Sequence, residues 1–135
     1  MRARLGMSAW RREASRRLPE LQPIIAARHV DGPMMLWIDL QSEFARACER
    51  DPPPLDLLRR IWQYAAWCLR HEDGDVRTGA ALGFCEHLID TPAGRALLPE
   101  LITRTEYQGC KELLLYHNTV EQYEAGLRAF DPPRR

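Results

Sequence analysis

The sequence predicts an all-α protein of six to seven helices in antiparallel hairpins, arranged as a bundle or a short solenoid-like array. Apolar residues recur at the helical period along most of the chain, and capping residues or prolines separate the periodic segments. No segment of four to eight residues alternates apolar and polar side chains with the β-branched enrichment of a strand. The short polar connections favour antiparallel neighbouring helices.

The first half of the chain contains three predicted helices. The first covers residues 8–18, after which prolines 19 and 23 interrupt the chain. Residues 21–29 are a short apolar segment, and an Asp-Gly-Pro turn follows at 31–33. The second covers 34–49, because apolar residues from Trp37 to Cys48 recur on one face. The third covers 55–71 and carries the broadest apolar stripe, so we expect it to be central.

A helix predicted over 76–89 follows, with Asp75 as its N-cap. Gly79, Gly83, Glu86 and Asp90 would share one face of this helix. Glycine inside a helix costs roughly 1 kcal/mol relative to alanine, which suggests close approach by another backbone. The face is either an intramolecular helix crossing or a groove where a partner docks beside two carboxylates.

Three more helices are predicted near the C-terminus. Thr91 and Pro92 fit an N-cap followed by proline at the first helical position. A Thr105–Gln108 capping box predicts a helix over 106–117, and a cap at Asn118 predicts the last helix. The predicted core comprises Trp37, Phe44, Leu58, Ile61, Trp62, Phe84, Leu88, Leu114 and Leu127. We expect one domain over 18–130, a basic arm or first helix over 1–17 and a frayed tail over 131–135.

Charge is unevenly placed, although the net formal charge of the chain is zero. Residues 1–17 contain six arginines and one glutamate, whereas residues 18–130 contain eleven basic and seventeen acidic side chains. An acidic body argues against nucleic acid as the main partner and suits a basic protein partner. The sequence has no apolar stretch typical of a signal peptide or a membrane span, so we expect a cytoplasmic protein without membrane contact.

Neither catalytic nor cofactor-binding motifs are present, so we predict a non-enzymatic protein without a cofactor or metal. The four cysteines lack CxxC spacing, which is typical of free buried thiols in a reducing compartment. Two alternatives remain open. One is a zinc site formed by Cys68, His71, Cys85 and His87. The other is a small hydrolase or metal protein that uses His71, Glu86 and His87.

Partner binding is the function that the residues favour. The polar turn with Glu72, Asp73 and Asp75 and the carboxylates of Glu86 and Asp90 are candidate contacts for a basic partner, although such acids are commonly only solvated surface. Trp62 and Trp67 cannot both point inward from one narrow stripe. Trp67 is therefore the candidate aromatic contact, since tryptophan is enriched at interfaces.

Four segments resemble an uncharacterised family of small helical bacterial proteins. They are Leu18-Pro19-Glu20-Leu21, Met35-Leu36-Trp37-Ile38, Tyr64-Ala65-Ala66-Trp67-Cys68-Leu69 and Phe84-Cys85-Glu86-His87-Leu88. Proteins of this kind are similar to the immunity proteins of polymorphic toxin systems, which neutralise a secreted toxin. The resemblance implies an all-helical fold and a cognate toxin as partner. The alternative function is a structural or regulatory subunit, such as a homo-oligomer, without an inhibitory role.

Overall fold

A computed structural model describes residues 8–132, which contain nine α-helices, two 3₁₀ helices and no strand. The α-helices are α1 (Ala9–Arg17), α2 (Gln22–Ile25), α3 (Pro33–Cys48), α4 (Leu55–Leu69), α5 (Gly74–Gly83), α6 (Pro92–Leu101), α7 (Arg104–Gly109), α8 (Lys111–Leu114) and α9 (Val120–Arg128). The 3₁₀ helices are Pro19–Leu21 and Cys85–His87. The predicted all-α class is confirmed. The helices outnumber the six or seven expected because 21–29 contains a one-turn helix and 106–117 divides into α7 and α8.

The helix caps explain where the shorter helices begin. The predicted Thr91 cap of α6 is confirmed, since its hydroxyl oxygen accepts a hydrogen bond from the Gly94 backbone N–H at 3.1 Å. The other three predicted caps were wrong by one or two residues. Asp73, rather than Asp75, caps α5, and α7 and α9 begin with the capping boxes Thr103–Glu106 and Thr119–Gln122. In each box the Glu or Gln side chain returns to the backbone N–H of its threonine.

Helices α3, α4 and α5 enclose the centre of the core. Trp37 stacks on Tyr64 with ring centroids 5.2 Å apart and lies 5.0 Å from the ring of Phe84, which meets Phe44 edge-on. Eight of the nine predicted core residues are buried. The ninth, Leu127, is half-buried and packs against the core from α9.

The closest helix crossing in this core joins α3 and α5 at two glycines. A Cβ atom on Gly79 would lie 3.0 Å from the Pro33 carbonyl carbon, and one on Gly83 would lie 2.7 Å from Cβ of Trp37. The contact of Gly83 with Trp37 lies four residues further along both helices than the contact of Gly79 with Pro33. Helices α3 and α5 therefore run in the same direction. The glycine face is therefore an intramolecular crossing. The alternative of a partner groove on that face was wrong, because α3 occupies it.

The first helix is anchored to the rest of the fold by hydrogen bonds to backbone carbonyls. The Arg11 guanidinium donates to the carbonyl oxygens of Ile25 and Val30, and the Tyr64 hydroxyl donates to that of Trp10 at 2.7 Å. Arg60 of α4 donates to the Arg17 carbonyl oxygen at 2.9 Å and also pairs with the Glu20 carboxylate. Residues 1–7 of the predicted basic arm and 133–135 of the predicted tail lie outside the described part of the chain.

The Glu20–Arg60 pair predicts a pH dependence of stability. The hydrogen bond from Arg60 lowers the pKa of Glu20 from 4.5 to about 2. Because the folded-state pKa is depressed, the stabilisation is complete above pH 4.5 and is lost as the pH falls towards 2. Glu20→Gln should lower the free energy of unfolding at neutral pH by up to about 1 kcal/mol, since the pair is partly exposed.

Urea unfolding at neutral and acidic pH measures this difference. The difference in free energy of unfolding between wild type and Glu20→Gln should shrink towards zero as the pH falls. Glu100→Gln is the matched control, since its carboxylate lies 3.9 Å from the Arg59 guanidinium in a looser pair. A Glu20→Gln gap that persists at low pH would contradict the assignment.

All four cysteines are free and buried, as predicted. Burial raises the pKa values of the Cys48 and Cys68 thiols to about 11. Cys85 belongs to the second 3₁₀ helix and Cys110 lies between α7 and α8. The prediction that these two cysteines lie inside α-helices was therefore wrong. Among residues 8–132, no helix has the length and apolarity needed to cross a membrane.

Candidate functional site

The solvent side of the α3–α5 pair exposes three large apolar side chains. Met35 and Ile38 of α3 are 36% and 47% exposed, and Leu82 of α5 is 41% exposed. By helical spacing, Ile38 and Leu82 lie on the sides of their helices that face away from buried Leu36 and Ala80. We call Met35, Ile38 and Leu82 the α3/α5 surface. Because the glycines hold the two backbones together, this surface is carried by a fixed helix pair.

Acidic side chains border the α3/α5 surface. A shallow cleft of about 390 Å³ separates the start of α3 from the start of α5, and Met35, Asp31, Asp75 and Thr78 contribute to its walls. The predicted contact Asp75 therefore lies directly beside the apolar residue Met35. Apolar residues rimmed by charged ones are the typical composition of a protein-binding patch.

The predicted acidic turn lies immediately before α5 and is held by local hydrogen bonds. The Asp73 carboxylate accepts from the Asp75 backbone N–H at 2.8 Å, so its structural role is to cap α5. The Arg77 guanidinium donates to the carbonyl oxygens of His71 and Glu72, both at 2.8 Å. Glu72 and Asp75 are exposed, and their carboxylates lie on a backbone that is fixed in place.

Trp67 is half-buried at the end of α4. Its ring stacks on Tyr64 with centroids 6.0 Å apart and also contacts the ring of His71 at 4.9 Å. Together with Arg70, His71 and Glu72 it lines a shallow concavity of about 410 Å³. Two of the predicted partner-binding residues, Trp67 and Glu72, are thus brought together beside the acidic turn.

The structure separates Glu86 and Asp90 from the glycine face on which the sequence analysis placed them. Helix α5 ends at Gly83, and Phe84 has a non-helical backbone before the second 3₁₀ helix begins. The predicted helix over 76–89 is therefore too long. Its continuous face of two glycines and two carboxylates does not exist.

Asp90 instead lies between two histidines. Its carboxylate is 2.7 Å from Nδ1 of His87 and 3.4 Å from Nε2 of His117, and the two imidazole rings meet edge-on. His87 and Asp90 face each other because the segment after Gly83 is not α-helical. Sequence analysis missed His117 altogether, since it comes from the loop between α8 and α9.

The zinc ligands considered from the sequence do not converge. Cys85 is fully buried, while His71 packs against Trp67 at the end of α4. Within the described residues, the one group of three or more potential metal ligands is His87, Asp90 and His117. The set of His71, Glu86 and His87 is likewise not assembled.

Exposed apolar residues are the other feature that sequence analysis missed. Met35 and Ile38 lie off the face defined by Trp37, Leu40 and Phe44, and that offset indicates exposure.

Comparison of the chain with protein-family models, curated proteins and solved structures found no match.

Proposed function

We propose that this protein is a non-catalytic binding protein of the bacterial cytoplasm that neutralises a cognate toxin by capturing it, as immunity proteins do. The observation that carries the proposal is the α3/α5 surface beside an acidic turn. Its three apolar side chains are exposed, and one of them, Met35, lines a cleft together with Asp75 and Asp31. Interfaces gain most of their binding energy from a few desolvated apolar residues, while surrounding charges set specificity.

Rigidity of the surface supports the same function. The glycine crossing fixes the separation of α3 and α5, and the Asp73 cap and Arg77 fix the turn. Binding to a fixed surface loses less conformational freedom than binding to a mobile one, so more of the contact energy contributes to affinity. A tight inhibitor requires this property.

Charge indicates the chemistry of the partner. Acidic residues outnumber basic ones over 18–130, and Glu72 and Asp75 are exposed at the start of α5. A basic toxin domain would be attracted at long range and oriented on arrival. The partner we expect is therefore a basic toxin domain with an apolar patch complementary to Ile38 and Leu82.

Co-expression tests the function directly. The proposal predicts that the gene immediately upstream encodes a large secreted protein, and the probe is the C-terminal domain of that protein, expressed with and without the present chain. We expect growth arrest by the domain alone, and both rescue and a co-purifying complex when the chain is present. Equal death in both cases, with no complex recovered, would show that the proposal is wrong.

Two variants then test the surface. Ile38→Asp should weaken binding by about 2 kcal/mol or more, roughly thirtyfold in Kd, because it places a charge in a desolvated contact. Glu72→Lys with Asp75→Lys should slow association, most strongly at low salt. Asp73 is left unchanged because its replacement would remove the α5 cap.

The matched controls come from α9. Val120→Asp changes another exposed apolar residue, and Glu121→Lys with Glu124→Lys makes the same charge change as the acidic pair. If the controls weaken binding as much as the α3/α5 variants, the toxin contacts another surface.

Light scattering of the free protein distinguishes the structural alternative, since a dimer that Ile38→Asp dissociates would favour a homo-oligomeric subunit.

A further inference from the structure

We propose that His87, Asp90 and His117 form a binding site for one Zn²⁺ ion. The sequence analysis predicted no metal site, because these residues come from two segments about thirty positions apart. The fold brings them together at the junction of the second 3₁₀ helix and the loop after α8. The proposal uses none of the residues assigned to the toxin contact and is independent of that assignment.

The distances between the ligand atoms approach those that zinc requires. One ligand atom from each residue lies within 4.8 Å of the other two. Nε2 of His117 is 3.4 Å from one Asp90 oxygen, and Nδ1 of His87 is 2.7 Å from the other. Zinc bonds of about 2.0–2.1 Å in a tetrahedron separate neighbouring ligand atoms by about 3.3 Å. Rotation of the Asp90 carboxylate away from His87 would lengthen the 2.7 Å contact towards that spacing.

The backbone that carries the ligands is held in place by Asn118. Its side-chain amide donates to the carbonyl oxygen of Glu86 at 3.1 Å and to that of Leu114 at 2.9 Å. One side chain thus ties the segment before His87 to the segment that bears His117. Buried Leu88 and Leu114 anchor the same two segments in the core. The site is therefore assembled by the fold and needs no large movement to accept an ion.

The donor atoms select the class of metal. Two imidazoles and one carboxylate suit Zn²⁺ and its transition-metal neighbours, whereas Mg²⁺ and Ca²⁺ prefer oxygen ligands alone. The Glu86 carboxylate lies 3.8 Å from Nε2 of His87, so it places negative charge near the ring nitrogen that would not bind the ion. Three protein ligands leave a fourth zinc position open on a partly exposed surface, where water or another ligand completes the tetrahedron.

Isothermal titration of Zn²⁺ into the untagged full chain tests the proposal, after chelator treatment, dialysis and full reduction of the thiols. We expect one ion per chain. His117→Ala should weaken binding by at least about tenfold, the lower range seen even for residues that only support metal ligands. His117 is exposed, and circular dichroism verifies that the variant keeps its helical content.

The matched control is His29→Ala, which removes a histidine from an exposed pair with Asp39, 2.6 Å apart. This pair resembles His87–Asp90, but within residues 8–132 no third ligand joins it, so its loss should leave zinc binding unchanged. Absence of zinc binding by the folded wild type would overturn the proposal. Unaltered binding by His117→Ala, or equal weakening by His29→Ala, would also overturn it.

Cobalt(II) distinguishes this site from the cysteines. Tetrahedral nitrogen and oxygen ligation gives visible d–d bands, which His117→Ala should remove, without the near-ultraviolet charge-transfer bands of thiolate ligation. A strong thiolate band in the folded wild type would place the metal on cysteine and contradict the proposal. Mg²⁺ and Ca²⁺ should give no saturable heat, and binding of either with zinc-like affinity would contradict the proposed chemistry.

Discussion

Replacing Trp37 with alanine is expected to lower the free energy of unfolding by about 3–5 kcal/mol, the range found for large aromatic residues in cores. Trp37 is fully buried, stacks on Tyr64 and touches Phe84. Its Cβ also lies at the glycine crossing, so the indole connects α3 to both α4 and α5. Domains are typically stable by only about 5–15 kcal/mol, so this one cavity removes a large part of the total.

Urea unfolding followed by circular dichroism measures this loss, and Trp67→Ala is the matched control. Trp67 undergoes the same chemical change but is half-buried, with one side of its ring on Tyr64 and an edge in a surface concavity. Replacement of Trp67 should therefore lower the free energy of unfolding by clearly less than replacement of Trp37. Equal midpoints for the two variants, with unchanged denaturant dependence, would show that the core is not centred on Trp37.

Gly83→Ala is expected to destabilise the protein, although alanine is the better helix former. The added Cβ would lie 2.7 Å from Cβ of Trp37, a position held by two backbones rather than by a flexible side-chain end. Overpacking of this kind costs about 1–3 kcal/mol. Helix propensity returns less than about 1 kcal/mol, because Gly83 is the last residue of α5. We expect a net loss of about 1–2 kcal/mol.

Gly109→Ala makes the identical change where, in the described part of the chain, no atom beyond its neighbours and its own helix backbone lies within 4 Å of the new methyl group. Gly109 ends α7 on the surface, so the variant should be neutral or more stable by up to about 1 kcal/mol. The midpoint of thermal unfolding should therefore fall below that of the wild type for Gly83→Ala, and should be unchanged or higher for Gly109→Ala. A Gly83→Ala protein as stable as Gly109→Ala would mean that α3 and α5 are not in close contact.

The sequence predicted the central helices well because packing and periodicity agree there. Helices α3 and α4 begin and end within one or two residues of the predicted bounds, since one apolar face of each is buried along its whole length. The prolines at 33 and 52–54 determine where α3 and α4 begin, independently of tertiary contacts. Local rules were sufficient for this part of the fold.

Prediction failed after Gly83 because tertiary packing interrupts a regular pattern. The four-residue spacing of Val76, Ala80, Phe84 and Leu88 is that of a continuous helix. Phe84 instead leaves the helix while its ring packs between Trp37 and Phe44, and a tighter 3₁₀ turn follows. In such turns residues three apart face each other, which brings His87 opposite Asp90.

The candidate sites were predictable only in part for the same reason. Glu72 and Asp75 were found because a polar turn before a helix is a local feature. The pairing of α3 with α5, the two helices that carry exposed Ile38 and Leu82, depends on a crossing between residues more than forty positions apart. His117 meets the ring of His87, and the neighbouring Asn118 donates to the carbonyl oxygen of Glu86; no local spacing rule indicates these contacts.

The burial of all four cysteines gives the chain reporters of its own local opening. The reactive form of a thiol is the thiolate, and a pKa of about 11 keeps Cys48 and Cys68 protonated at neutral pH as well as inaccessible. An alkylating reagent therefore reacts at each position only as fast as the surrounding structure opens. Because Cys48 ends α3, Cys68 lies in α4, Cys85 starts the second 3₁₀ helix and Cys110 precedes α8, the order of labelling maps which part of the molecule separates first.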